Sequence, residues 1–207
     1  MAIGAYYRFD GNSNDASGNA NNGTDTSVTY NSGNGRFVQG AGFNGSSSYV
    51  QYGDTASLSP ANLTLSFWIK NNATGTCFVI DKETSSGYGY KGWCFILLNR
   101  QIIFEIYANS TNKDVYATTL SDGVWYYVTC TYDGSYMRVY TNGALSATPV
   151  SATGNLDYSN TIALVIGRRA TNGAYFFNGC LDEVIIDSVA WSAGQQKNKY
   201  AYYKGFF

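Results

Sequence analysis

Residues Val124–Gly143 read VWYYVTCTYDGSYMRVYTNG. Tyr126, Val128, Cys130 and Tyr132 fall on alternate positions, the period of a β-strand, and so share one face. Asp133-Gly134 is a turn dipeptide, and YMRVYTNG resumes a strand pattern after it. The two runs therefore form a hairpin. The same pattern recurs along the chain. Asp10-Gly11, Asn34-Gly35, Asn44-Gly45, Asp122-Gly123, Asn142-Gly143, Asn172-Gly173 and Asn178-Gly179 mark further turns. Between them, SYVQY sends Val50 and Tyr52 one way and Tyr49 and Gln51 the other. LTLSFWIK lines up Leu63, Leu65, Phe67 and Ile69 on one face, and TIALVIG and LDEVIID add two strands. No stretch sustains a helical period beyond about ten residues, and SAGQQKNKYAYYK at the tail is the best helical candidate. Many short strands at this spacing predict an all-β fold, a two-sheet antiparallel β-sandwich.

The 207 residues suit one domain, 1–207, with 194–207 as a C-terminal tail. Thirteen basic against fourteen acidic residues give a net charge of -1. That balance argues against binding nucleic acid or an anionic membrane through a basic patch. No apolar run reaches the roughly 18 residues of a membrane span. The start, MAIGAYYRFDG, has neither a basic n-region nor an apolar h-region, so no secretory signal is visible in this chain. Cys77, Cys94, Cys130 and Cys180 form no CxxC pair, which argues against zinc. Cys77 and Cys94 lie in two strand-like runs joined by a Gly- and Ser-rich loop and could form a disulfide across a hairpin. The alternative is four reduced, buried thiols, which the missing export signal favours.

Tyr7–Thr24 reads YRFDGNSNDASGNANNGT: a strand end followed by a long loop of Asp, Asn, Ser and Gly. Nothing in such a loop gains by burial. It offers hard oxygen donors on a backbone that folds sharply, which is what Ca2+ requires. The alternative is an Asx-rich turn whose side chains satisfy its own backbone.

Six motifs stand in order: YYRFDGNSNDASGNANNGT, GRFVQGAGFNGSSSYVQY, LTLSFWIK, WYYVTCTYDGSYMRVYTNG, IGRR and FNGCLDEVIIDSVAWSA. Together they resemble the laminin-G-like jelly-roll domain of the concanavalin A-like lectin/glucanase superfamily. The resemblance runs from Ala5 to Ala193. Cys130, Cys180 and the 19 tyrosines depart from the family's ordinary pattern. The resemblance implies two curved antiparallel sheets and a structural Ca2+. The ion's implied ligands are Asp10, Asn12, Asn14 or Asp15, and Asn22 in the loop, with Asp182 on the late strand. Asp182, beside Leu181 and Val184, needs a partner if buried, and a cation is one. Strand alternation places Glu183 on the opposite face from Asp182.

The chain has no histidine, which removes Ser-His-Asp, Cys-His and His-metal chemistry. Carboxylate chemistry remains, with Asp81 and Glu83, Glu105, or Glu183 and Asp187 as candidates. None reproduces the clustered acidic strand motif of the superfamily's glucanases, so no enzyme is expected and a glycoside hydrolase is the last alternative. The reading is a non-catalytic carbohydrate-binding or adhesion module, extracellular or on a virion surface. In SSGYGYKGW, Tyr88, Tyr90 and Trp93 can stack on sugar C–H faces, with Tyr107, Tyr116 and Tyr175 as weaker candidates. The alternative is a structural virion component, a capsid decoration or fibre protein, docked on other subunits or self-associated. The aromatic tail Tyr200, Tyr202, Tyr203, Phe206 and Phe207 would be its interface, unless the tail closes over the sandwich.

Overall fold

The computed structural model describes residues 3–84, 90–158 and 162–205. Within them the chain forms sixteen strands and one α-helix. In order these are β1 (Ile3–Tyr7), β2 (Thr24–Thr26), β3 (Thr29–Asn31), β4 (Gly40–Asn44), β5 (Tyr49–Gln51), β6 (Leu63–Asn71), β7 (Thr76–Thr84) and β8 (Lys91–Leu98). There follow β9 (Gln101–Ala108), β10 (Thr111–Thr119), β11 (Trp125–Tyr132), β12 (Tyr136–Thr141), β13 (Ala144–Leu145), β14 (Val150–Ser151), β15 (Val165–Ile166), β16 (Asn178–Asp187) and α1 (Ala193–Lys204).

The strands make a nine-stranded sheet, β13-β12-β11-β6-β16-β4-β3 with β1 on β16 and β14 on β12, and a seven-stranded sheet, β10-β9-β8-β7-β15-β5-β2. All the pairings within them are antiparallel. The hairpin that opens the sequence argument is β11–β12, with Cys130 opposite Val139 and Tyr132 opposite Met137. Leu63, Leu65, Phe67 and Ile69 of β6 and Val128, Cys130 and Tyr132 of β11 all enter the core between the sheets. There Phe67 meets Phe95 edge-to-face at 4.8 Å. Val50 and Tyr52 also face this core, as alternation requires.

β16 is the seam of the nine-stranded sheet. One edge pairs with β6 throughout. The other pairs with β4 as far as Leu181 and with β1 from Val184 onward. Asp182 and Glu183 fall in the gap, where the register against β6 also shifts. Glu183 adopts a left-handed φ of 54°, uncommon for a residue with a side chain. This bulge overturns the expected alternation. Glu183 joins Asp182 on the outer face instead of opposing it, while Val184 turns into the core.

The tail forms a helix that closes over the sandwich. Ser192 caps it: its hydroxyl accepts from Gln195 N–H, and the Gln195 side chain accepts from Ser192 N–H. Tyr200 and Tyr203 pack on Trp68 and Tyr127 of the nine-stranded sheet. The tail's aromatic rings are thus largely spent on the chain's own sheet, although Tyr202 stays exposed and Phe206 and Phe207 lie outside the described residues. No described helix is long and apolar enough to cross a membrane.

The Cys77–Cys94 disulfide does not form. β7 and β8 do pair, but Cys77 lies opposite Leu97 and Cys94 opposite Asp81. Cys77 faces the main core while Cys94 faces outward, so their Sγ atoms lie on different sides of the sheet. All four thiols are free and buried.

Gly92 holds a tight point in this pair. Its φ is 99°, and a Cβ there would sit 1.8 Å from the Lys82 carbonyl oxygen. Gly92→Ala should therefore destabilise the fold by about 1–3 kcal/mol or more, read as a lower urea midpoint. Reductant should leave the wild-type midpoint where it is. A fall under reductant would show a disulfide that this register excludes.

Candidate functional site

The outer face of the seven-stranded sheet collects five titratable side chains. Alternation along β7, β8, β9 and β10 sends Asp81, Glu83, Cys94, Glu105 and Asp114 to this face. Trp93, Phe95, Phe104 and Val115 go to the core. Phe78, Cys94, Ile96 and Ile103 form an apolar floor on the outer side.

Asp81 is fully buried. Its Oδ1 accepts from Glu83 N–H at 2.9 Å and its Oδ2 from Ala170 N–H at 2.7 Å. Burial nonetheless pushes its carboxyl up to about 7. Glu83 pairs with Arg169 at 3.2 Å and accepts from the Cys94 thiol at 3.4 Å. Burial raises its carboxyl too, and drives the Cys94 thiol well above the usual thiol range. The ligand atoms of Asp81, Glu83 and Cys94 lie within 4.8 Å of one another. Glu105 faces Asp114 across the β9–β10 pair. Burial raises both carboxyls, Glu105 to about 7.

Aromatic rings border this row of acids. Tyr90 is half exposed and stacks on Tyr107, with centroids 5.4 Å apart and planes 18° off parallel. Tyr116 and Tyr175 are exposed as well. Tyr175 leans on Phe78, and the Arg169 guanidinium lies over the Phe78 ring at 5.0 Å. The face thus offers ring surfaces for C–H groups and carboxyl oxygens for hydroxyls.

Of the three expected sugar-stacking residues, Tyr90 lies here and Tyr88 falls outside the described residues. Trp93 is fully buried in the core between the sheets, because it sits one residue out of phase with Cys94. It cannot present a ring to a ligand. Sequence reasoning placed Asp81 with Glu83 but read Glu105 as isolated. Asn109 and Ser110 both have left-handed φ and form the tight β9–β10 turn, from which Glu105 and Asp114 are equally spaced. Reading that turn from the sequence would have paired them.

The residues expected to hold Ca2+ do not fit it as a set. Both oxygens of Asp15 are taken: Oδ1 by Tyr6 and Ser17 N–H, Oδ2 by Asn21 N–H and the Ser17 hydroxyl. Asn12 accepts from Asn14 N–H, and Asn22 accepts from Asp15 N–H. Asp10 accepts from Gln39 N–H at 3.2 Å. Asp182 accepts from Arg36 and Phe37 N–H through one oxygen. Ca2+ needs six to eight oxygens turned toward one point. Here the oxygens turn toward the chain's own amides, in the Asx-turn manner. Burial, with the like charges of Glu183 and Asp10, pushes the Asp182 carboxyl up to about 7.

The comparisons agree with this architecture. No curated protein matches the chain in sequence. The binding domain of Paraclostridial Mosquitocidal Protein 1 superposes with a TM-score of 0.81 at 16% identity, over 98% of this chain and 52% of that one. The binding domain of botulinum neurotoxin serotype D gives 0.71 at 17%, over 97% and 51%. Domain 4 of AbnA, a GH43 extracellular arabinanase from Geobacillus stearothermophilus solved with arabinotriose, gives 0.72 at 20%, over 95% and 97%. The chain spans about half the length of the two toxin binding domains and nearly all of the arabinanase domain. At these identities the likeness is one of fold. The Laminin_G_3 family matches residues 44–195, well over half of the sequence, and the chain therefore belongs to that family of the concanavalin A-like lectin/glucanases superfamily.

Proposed function

We propose that the protein is a non-catalytic carbohydrate-binding module that takes a glycan on the outer face of its seven-stranded sheet. The observation that carries this reading is the exposed Tyr90 stacked on Tyr107, beside Glu105 and Asp114. A ring held by a second ring is pre-organised, so little rotamer entropy is lost when a sugar stacks on it. The neighbouring carboxyls accept hydroxyls in the plane of the sugar. The arabinanase domain solved with arabinotriose, and the toxin domains named for binding, are consistent with a binding role for this fold.

The same carboxyls support binding over hydrolysis. A glycosidase needs one carboxyl poised as an acid and a second free as a base or nucleophile. Here Asp81 is held by two backbone amides and Glu83 by Arg169 and Cys94. Each is committed to a structural partner. Tyr200 and Tyr203 of the tail fold onto the chain's own sheet, which leaves Tyr202 as the exposed tail ring among the described residues for a virion interface.

Tyr90→Ala should weaken glycan binding about 5- to 10-fold by calorimetry, with an unchanged unfolding midpoint. Equal affinity in the variant would remove Tyr90 from the site. Reducing ends released from a glycan that the protein binds would overturn the non-catalytic reading.

The pH dependence of stability has a definite sign. Asp81, Glu105 and Asp182 have folded values near 7, above their unfolded values. Their stabilising contribution is complete below about pH 4 and is lost as pH rises through 7. Asp81→Asn should therefore flatten the decline in urea midpoint between pH 5 and pH 8. A decline of the same slope in the variant would show that Asp81 ionises normally.

Ca2+ should leave the urea midpoint unchanged. A rise with Ca2+ that Asp182→Asn abolishes would place the ion at the loop after all.

A further inference from the structure

The four acids of the seven-stranded face are not equally placed. Asp81 and Glu83 are buried and already have their donors, with Arg169 paired to Glu83. Glu105 and Asp114 are half-buried and reach solvent. None of the ion pairs among the described residues involves either of them. Arg168, the neighbour of Arg169, is held over the Tyr49 ring of β5 at 4.0 Å, on the side of the sheet away from β9.

Glu105 and Asp114 stand directly opposite each other in the antiparallel β9–β10 pair and share one face. Side chains so placed are nearest neighbours, so one small group can touch both carboxyls. Burial, and after it the charges of Glu83 and Asp114, raise the Glu105 carboxyl, while the Tyr107 hydroxyl that donates to it works the other way. Asp114 Oδ1 is shielded from solvent and has no hydrogen-bond partner among the described residues. The pair lacks a countercharge, and one of its oxygens lacks a donor.

Aromatic rings bracket the two acids. Tyr107 lies two residues from Glu105 on β9 and carries the half-exposed Tyr90 stacked on it. Exposed Tyr116 lies two residues beyond Asp114 on β10. Each ring is rooted roughly 7 Å along its strand from the acid, about the reach of one sugar unit. Tyrosine faces attract an ammonium that also meets a carboxylate. A hydroxyl brings these acids a donor but no charge. An ammonium brings three N–H donors and the missing charge together.

We propose that this face selects amino sugars: the sugar ring stacks on Tyr90, and its protonated amine sits against Glu105 and Asp114. The inference rests on the glycan-binding reading of this face and names its ligand class. A neutral sugar keeps the stacking and leaves the two carboxyls without a countercharge. A sugar that carries a carboxylate brings one more acid to a face that already holds four.

The β-1,4-linked dimers of glucosamine, N-acetylglucosamine and glucose serve as probes, because they differ only at C2. Each is titrated into the full chain by calorimetry at low salt and neutral pH. The glucosamine dimer should bind at least about tenfold more tightly than the other two, and added salt should narrow the gap. Its affinity should rise between about pH 5 and pH 7 with release of protons, because the amine favours the ionised acids. The affinity of the glucose dimer should change less. Glu105→Gln and Asp114→Asn should each weaken the glucosamine dimer about 5- to 10-fold and bring it close to the glucose dimer. Both replacements keep the shape of the side chain and remove a charge that burial disfavours, so the fold should hold, and the unfolding midpoint checks this. Equal affinity for the three dimers would overturn the role of the amine and leave the glycan-binding reading standing. So would an undiminished preference in both variants. No binding of the glucosamine dimer at millimolar concentration would overturn the inference as well. Tyr90→Ala that leaves all three affinities intact would instead remove the ring from the site and sink the glycan-binding reading of this face.

Discussion

The point on which the nine-stranded sheet turns is the place where β16 changes partners. β4 leaves after Leu181 and β1 arrives at Val184. The residues between them, Asp182 and Glu183, lose their neighbours on that edge. An unpaired buried polar group costs free energy, so the surrounding chain must supply donors. The loop before β4 gives Asp182 two amide N–H groups. β1 and α1 give Glu183 two phenols. One break in one strand thereby fixes a loop, the first strand and the last helix.

The seven-stranded sheet meets a different constraint. Four carboxyls share its outer face, and Arg169 is the cation that an ion pair brings to them. Desolvation and mutual repulsion both oppose ionisation there. The face answers with backbone N–H groups at Asp81 and with a thiol and Arg169 at Glu83. A surface built this way prefers ligands that donate hydrogen bonds. Sugar hydroxyls do so without bringing charge, and the tyrosines supply the apolar half of the recognition.

Much of the fold was legible because alternation is a local property. The core faces of β6 and β11 follow directly from Leu63, Leu65, Phe67, Ile69, Val128, Cys130 and Tyr132. The β11–β12 hairpin follows from Asp133-Gly134 and the capped helix from the tail's composition. What was not legible depended on register or on breaks in alternation. Asn99-Arg100 and Asn109-Ser110 make left-handed turns without glycine, so β8, β9 and β10 could not be aligned from the sequence. Without that alignment, Glu105 looked solitary, while Cys94 looked like a partner for Cys77 because the β7–β8 register was itself not readable. Glu183 escaped for the opposite reason, since a bulge is an exception to the rule that was used to place it.

The N-terminal loop shows why donor composition underdetermines chemistry. Asp and Asn oxygens suit a hard cation and suit backbone amides equally well. Which partner they take depends on where the loop's own N–H groups point. In this chain Tyr6, Asn14, Asp15, Ser17 and Asn21 all turn their amides onto side-chain oxygens of the same segment. The loop satisfies itself and is pinned to β1 by Asp15. It has little unmet demand for a cation.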